Sequence, residues 1–329
     1  MTNDIILSIS CITYNHVNFI RTCLESFLMQ KTNFPIEVVI YDDASTDGTR
    51  EIIEEYTKKY PTIFFPLFQT ENQYSKGIRG LNARFNFSRC RGKYIAICEG
   101  DDFWNDPQKL QKQVDFLDAN PDYFITGHDA KIIDAKGDLV SESKLPEICK
   151  RDCSSVELQK CFFILTLSMC FRNIPELKNM PPELFLASNG DTFMISYFGQ
   201  FGKFKYLPEI KPASYRMHVH GIWSMKDEFD KQKMARTTFK QLRLYYARTY
   251  NRKMEFYHSK MLLKFSGRVL KKKLSQSNSI VAYLKSLNEY IIDNQVFTKP
   301  TILMKLFYIY GIRKLRKQNS YSKQKTGKY

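Results

Sequence analysis

The chain has 329 residues, of which 43% are hydrophobic and 26% charged, a composition that is globular and long enough for one large α/β domain or two smaller ones. No run of about 18 apolar residues occurs, which excludes a membrane span readable from hydropathy, and the first residues lack the basic and apolar regions of a signal peptide. The net charge of +16 is unevenly placed. Residues 226–329 hold 25 Lys and Arg against 6 Asp and Glu, whereas residues 1–225 hold 25 against 28. A basic C-terminal third suggests an anionic partner, either a membrane surface or nucleic acid. For nucleic acid, aromatics interleaved with the charges in a known module are wanting, so no such partner is expected. The eight cysteines include no Cys-x-x-Cys pair, and Cys149 and Cys153 lack a second pair of ligands. A reduced cytosolic protein without structural zinc is expected.

In chain order, Ile5–Ile12 reads as a buried strand, followed by the polar loop Thr13-Tyr14-Asn15-His16. Phe19, Ile20, Cys23, Leu24, Phe27 and Leu28 then recur at helical spacing. Residues 35–41 form a second strand that ends in Asp42-Asp43-Ala44-Ser45-Thr46-Asp47-Gly48-Thr49, with Ser45 or Thr46 placed to cap the next helix. A third strand covers Ile63–Phe68, and a Gly-punctuated loop at 77–90 runs into a helix. Tyr94–Cys98 is a fourth, buried strand, and Glu99, Gly100, Asp101 and Asp102 follow it directly. Carboxylates so close together repel one another, and hard oxygen donors at the carboxyl end of a core strand suit Mg²⁺ or Mn²⁺. A helix restarts near Pro107. Tyr123–Thr126 is another strand, Asp129–Ser143 a hairpin, 144–160 a mobile polar loop, and 162–171 either strand or helix. Asp191 precedes an apolar helix, and alternation puts His218 and His220 on one face of an extended segment.

Strands alternating with helices predict an α/β fold with a mostly parallel sheet. There is no Gly-x-Gly-x-x-Gly after the first strand and no Gly-x-x-x-x-Gly-Lys-Ser/Thr, which argues against dinucleotide-binding and P-loop domains. A sugar nucleotidyltransferase would need a Gly-rich basic loop after Ile12, and none is present.

Four stretches in the right order carry a resemblance: Ser8-Ile9-Ser10-Cys11-Ile12-Thr13-Tyr14-Asn15, Val39 through Thr49, Ala83-Arg84-Phe85-Asn86, and Gly92-Lys93-Tyr94-Ile95 running into Glu99-Gly100-Asp101-Asp102. Over about residues 5–225 the chain resembles glycosyltransferase family 2 of the GT-A fold. The resemblance implies a mostly parallel sheet flanked by helices and transfer of a sugar from a nucleotide diphosphate sugar, usually with inversion. It divides the chain into a GT-A domain at 1–225, with a nucleotide-sugar half at about 1–125 and an acceptor half at 126–225, and a helical basic region at 226–329.

Residue by residue, the resemblance implies that Tyr14 stacks on the base, one of Asp42 and Asp43 accepts from the base N–H, and Arg84 faces the diphosphate. Glu99-Gly100-Asp101 stands where the family has Asp-x-Asp. The longer arm of Glu99 suits the sugar or ribose, which leaves Asp101 and Asp102 as candidates for the Mn²⁺ or Mg²⁺ ion, with His218 from Tyr215-Arg216-Met217-His218 as a further metal candidate. Asp191 takes the place of the catalytic base, with a helix N-cap as the alternative role. The implied acceptor is a growing bacterial surface glycan or a lipid-linked sugar. The apolar and then basic stretch 302–317 suits an anionic membrane surface, as for a cytoplasmic enzyme peripheral at the inner face of the membrane.

Overall fold

The computed structural model describes residues 4–219, 221 and 226–276. The chain divides into two compact units, Met1–His258 and Ser259–Tyr329. In the first unit, strands β1 (Leu7–Thr13), β2 (Ile36–Asp42), β3 (Phe64–Phe68) and β4 (Tyr94–Ile97) pair in parallel in the order β3-β2-β1-β4. Helices α1 (Ile20–Leu28) and α2 (Thr49–Lys59) are the crossovers. A parallel sheet is covered on both faces, which is why β1, β2 and β4 are almost wholly buried, Ser8 and Ser10 of β1 included.

Beyond β4 the sheet continues with β8 (Cys170–Arg172), β5 (Tyr123–Gly127) and β9 (Lys203–Tyr206). Strand β8 is antiparallel to both β4 and β5, so 162–171 is neither one long strand nor a helix. A short 3₁₀ turn at Thr166–Ser168 precedes β8. A second, three-stranded sheet joins β10 (Ala213–Arg216), β6 (Ala130–Ile133) and β7 (Leu139–Ser141), and β6 with β7 forms the expected hairpin. The fold matches the α/β expectation, with a mostly parallel sheet between helices.

Three local expectations are corrected. Helix α2 starts at Thr49 after Gly48, which is left-handed at φ 104°. Asp47, rather than Ser45 or Thr46, accepts from the Thr49 N–H at 3.0 Å. The segment at 82–90 is a π-helical turn, Asn82–Asn86, followed by a 3₁₀ turn. The Asn86 amide donates to Ser10 Oγ and to the carbonyls of Cys11 and Val39, which pins that turn onto β1 and β2. Residues 144–160 are ordered by a 3₁₀ turn and by helix α4 (Ser155–Gln159), which carries a capping box between Ser154 and Glu157.

Helices α3 (Lys109–Ala119), α5 (Gly190–Phe198) and α6 (Glu228–Arg248) complete the first unit, and α6 packs on α5 and on the Pro182–Leu186 turn. Helix α7 covers Arg252–Gln276. Among the described residues no helix is long and apolar enough to cross a membrane. His220 and the stretch 302–317 lie outside the described residues.

Candidate active site

The loops after β1, β2 and β4 meet at the carboxyl edge of the sheet, where open α/β sheets bind ligands. Side chains lace the first two loops together. Asn15 is left-handed at φ 54°, its N–H donates to Ser45 Oγ at 2.8 Å, and its Oδ1 accepts from the Thr46 N–H at 2.9 Å. The His16 N–H donates to Thr49 Oγ1 at 2.8 Å. Tyr14 and His16 are thereby held at the rim. Gly100 lets the third loop close on the first, because a Cβ there would lie 2.7 Å from Thr13 Oγ1.

Strand β10 is brought in by the acid loop itself. Phe103 and Ser214 exchange backbone hydrogen bonds, and Asp102 Oδ1 accepts the Arg216 N–H at 2.8 Å. His218 follows two residues later and comes to rest beside Asp101. Its Nε2 lies 2.9 Å from Asp101 Oδ2, and His16 Nε2 lies 3.8 Å from the same oxygen. Trp104 anchors the far side of the loop, with its Nε1–H donating to the Leu167 carbonyl at 2.8 Å.

These elements enclose a cavity of about 660 Å³, in the range of small-molecule sites. Of the sequence-derived candidates, Tyr14, Asp43, Glu99, Asp101, Asp102 and Asp191 all line it. Tyr14 is 43% exposed at the mouth, and Asn72, Tyr74 and Ser75 stand in the same wall. Asp43 accepts from Tyr41 Oη–H and from the N–H groups of Gln73 and Tyr74, so it ties down the loop that carries Tyr74. Asp42 is buried below the cavity, where it accepts from the N–H and hydroxyl of Ser45. Arg84 stands outside the lining, with its guanidinium 4.0 Å from the centre of the Phe185 ring. Asp191 sits in the first turn of α5 and not at its cap, which is Asn189, and among the described residues its Oδ1 accepts from Thr192 next to it.

The electrostatics follow from five carboxylates facing one space. Burial, then Asp101 and Asp191, push Glu99 up to about 8. Burial and the charges of Asp101 and Glu99 raise Asp102, and burial raises Asp191. Asp101 is the exception. Burial favours its neutral form, but His16 and His218 together outweigh that and hold it below the usual carboxylate range. Burial in turn lowers His16, which keeps its imidazole neutral and its lone pair available near neutral pH.

His16, Asp101 and His218 each offer a ligand atom, all within 4.8 Å of one another. Two imidazoles and a carboxylate beside an excess of negative charge fit a divalent cation. Asp102 is not one of these three residues, and its Oδ1 accepts the Arg216 N–H. His16 was not singled out in the sequence. Its only signal there was its place in the polar loop after a core strand, beside Tyr14.

A family model described as glycosyl transferase family 2 matches residues 8–174. An uncharacterized protein of Mycobacterium tuberculosis is 39% identical over 220 residues, covering 66% of this chain and 60% of that protein, so the match spans under two thirds of that relative's length. Among solved structures, S. aureus TarS in complex with UDP-GlcNAc aligns over 88% of this chain and 81% of that chain, at a TM-score of 0.60 and 16% identity. The mannosyltransferase PcManGT from Pyrobaculum calidifontis, in complex with GDP-Man and Mn²⁺, aligns over 93% and 84% at a TM-score of 0.50 and 14% identity. At such identities the structural likeness speaks for the fold alone, whereas the family model covers half of the sequence, and the chain belongs to glycosyltransferase family 2.

Proposed function

We propose that this chain transfers a sugar from a nucleotide diphosphate sugar to an acceptor hydroxyl, with inversion at the anomeric carbon. The observation that carries the reading is that Asp191 lines the same cavity as Glu99, His16 and Asp101, the last two grouped with His218 behind them. A base and a place for a leaving diphosphate are the two things an in-line displacement needs on opposite sides of the reacting carbon.

In this reading Tyr14 stacks on the nucleobase, with Asp43 holding the loop that closes that subsite. Glu99 accepts from a hydroxyl of the sugar or ribose. His16, Asp101 and His218 would hold a divalent cation, whose positive charge would stabilise a departing diphosphate. Two nitrogen donors suit Mn²⁺ better than Mg²⁺, and the mannosyltransferase named above was solved with Mn²⁺. Asp191 removes the proton from the acceptor hydroxyl as its oxygen attacks the anomeric carbon, and the bonding pair to the diphosphate oxygen leaves with the nucleotide. Asp102 acts from behind, holding β10 and hence His218. Arg84 reaches a diphosphate only by leaving its stack on Phe185.

The functional division follows the cavity. A nucleotide-sugar half covers about 1–125, an acceptor half 126–225, and the basic residues of 226–329 serve contact with an anionic membrane surface. A glycan or lipid-linked acceptor, made into bacterial surface polysaccharide at the cytoplasmic face, fits that arrangement. The test is a screen of UDP- and GDP-sugars for Mn²⁺-dependent release of the nucleotide diphosphate. Release from one sugar nucleotide that depends on the metal supports the reading. No release from any of them, with no binding of UDP or GDP, overturns it.

A further inference from the structure

The charged groups of the cavity leave one cation without a task. Besides imidazoles, Lys144 and Arg216 are the lining cations among the described residues. The Arg216 guanidinium is committed, donating to the carbonyls of Asp101, Asp134 and Ala135. Lys144 differs. Its ammonium stands 3.5 Å from the centre of the Tyr215 ring, and it has no ion-pair partner within 4.0 Å among the described residues.

The backbone that presents Lys144 is fixed by a buried carboxylate. Asp129 Oδ1 accepts the N–H groups of Ala130, Lys144 and Leu145, and Oδ2 accepts the Ser143 hydroxyl. The Lys144 N–H also reaches the Ala130 carbonyl at 2.7 Å. An over-determined loop therefore aims a lysine into a cavity otherwise dominated by acids. Burial lowers the Lys144 ammonium, Asp102 favours its charge, and Lys231 of α6 opposes it with like charge.

We propose that Lys144, over the face of Tyr215, forms an anion subsite on the acceptor side of the cavity that takes a carboxylate or phosphate group carried by the acceptor. The assignment rests on the transferase reading above. It favours the acceptor over the donor because Lys144 and Tyr215 stand in the wall made by Lys144 itself, residues 163–167 and β10. The nucleotide-facing Tyr14, Asp43 and Tyr74 come from the loops after β1, β2 and β3. A single charge-assisted hydrogen bond from this ammonium gives about tenfold in affinity.

The experiment titrates two probe pairs onto the immobilised full chain saturated with UDP and Mn²⁺: D-glucuronate against D-glucose, and glycerol 3-phosphate against glycerol. The expected result is tighter binding of at least one anionic member by about tenfold. Lys144→Gln should abolish that preference and Lys144→Arg should retain it. Equal binding of charged and neutral probes by the unaltered chain overturns the proposal, as does a preference that survives in Lys144→Gln. UDP titrated alone separates the two sources of an anion. A loss of UDP affinity in Lys144→Gln without any probe preference in the unaltered chain assigns the cation to the donor diphosphate and overturns the acceptor subsite. Failure of the unaltered chain to bind UDP or GDP strikes the transferase reading instead, and the probe pairs, repeated without nucleotide, then report on the anion subsite by themselves.

Discussion

On the side of the cavity proposed for the donor, the wall is made by loops that follow adjacent parallel strands. Tyr14 and His16 come after β1, Asp43 after β2, and Glu99 to Asp102 after β4; side chains bond the first two loops, and the Gly100 N–H donates to the Ile12 carbonyl. The side proposed for the acceptor gathers Lys144, the 163–167 stretch, Asp191 and Tyr215 from segments that are scattered in sequence. Its anchors span long distances, such as the bond from the Arg216 N–H to Asp102, 114 residues away. A wall made of repeated strand–loop units depends on local geometry. A wall made of distant pieces depends on a few buried polar groups, and each of those groups becomes a point of failure.

The two walls should therefore fail differently. The largest effect is expected on the acceptor side. Proton removal by a placed carboxylate is worth roughly 10²–10⁴-fold in rate, so Asp191→Asn should lower turnover by about that factor and leave nucleotide affinity nearly intact. A helix cap would behave otherwise, since Asn caps about as well as Asp. Near-normal turnover in this variant would move the search for the base to Glu99.

Next comes the hub behind Lys144. Asp129→Ala leaves the Ala130 and Leu145 N–H groups without their acceptor and the Lys144 N–H with the Ala130 carbonyl alone. A buried unsatisfied donor costs about 1–3 kcal/mol, and after partial relaxation the variant should lose about 3 kcal/mol in urea unfolding. A loss below about 1 kcal/mol would mean that this wall does not depend on its buried carboxylate.

A smaller effect is expected on the donor side from Gly100→Ala. The new methyl group collides with Thr13 at the contact between the first and third loops. Overpacking of this kind costs about 1–3 kcal/mol, read here as nucleotide diphosphate affinity reduced by about tenfold, with the unfolding midpoint little changed. Unaltered nucleotide affinity would show that the close approach of these loops is not needed for the site.

The same contrast explains what could be read from the sequence. β1, β2 and β4 are legible as buried strands from their β-branched and aliphatic residues, and the polar loops at their ends contain Tyr14, Asp43, Glu99, Asp101 and Asp102. In the second half, 162–171 was ambiguous because its backbone is fixed by partners far away. Trp104 holds the Leu167 carbonyl and Gln113 the Ser168 carbonyl. Residues 144–160 looked mobile because they are polar, yet Asp129 and the Ser154–Glu157 capping box order them. The π-helical turn at Asn82–Asn86 arises from asparagine amides that reach across to β1, which no helical periodicity reveals. His16 joined Asp101 and His218 only through folding, since neither spacing nor residue type linked it to the acid loop.

The central claim is that His16, Asp101 and His218 hold a divalent cation that binds the nucleotide diphosphate. Calorimetric titration of UDP and GDP into the full chain, with and without Mn²⁺, tests it most directly when repeated with His16→Ala and Asp101→Asn. Partners that merely support metal ligands are worth about 10–100-fold in metal affinity, so removing a ligand should cost at least that. The account predicts that one of the two nucleotides binds more tightly with Mn²⁺, and that both variants lose this gain while keeping the metal-free affinity. An affinity indifferent to Mn²⁺ in the unaltered chain, or a full Mn²⁺-dependent gain in both variants, would contradict it.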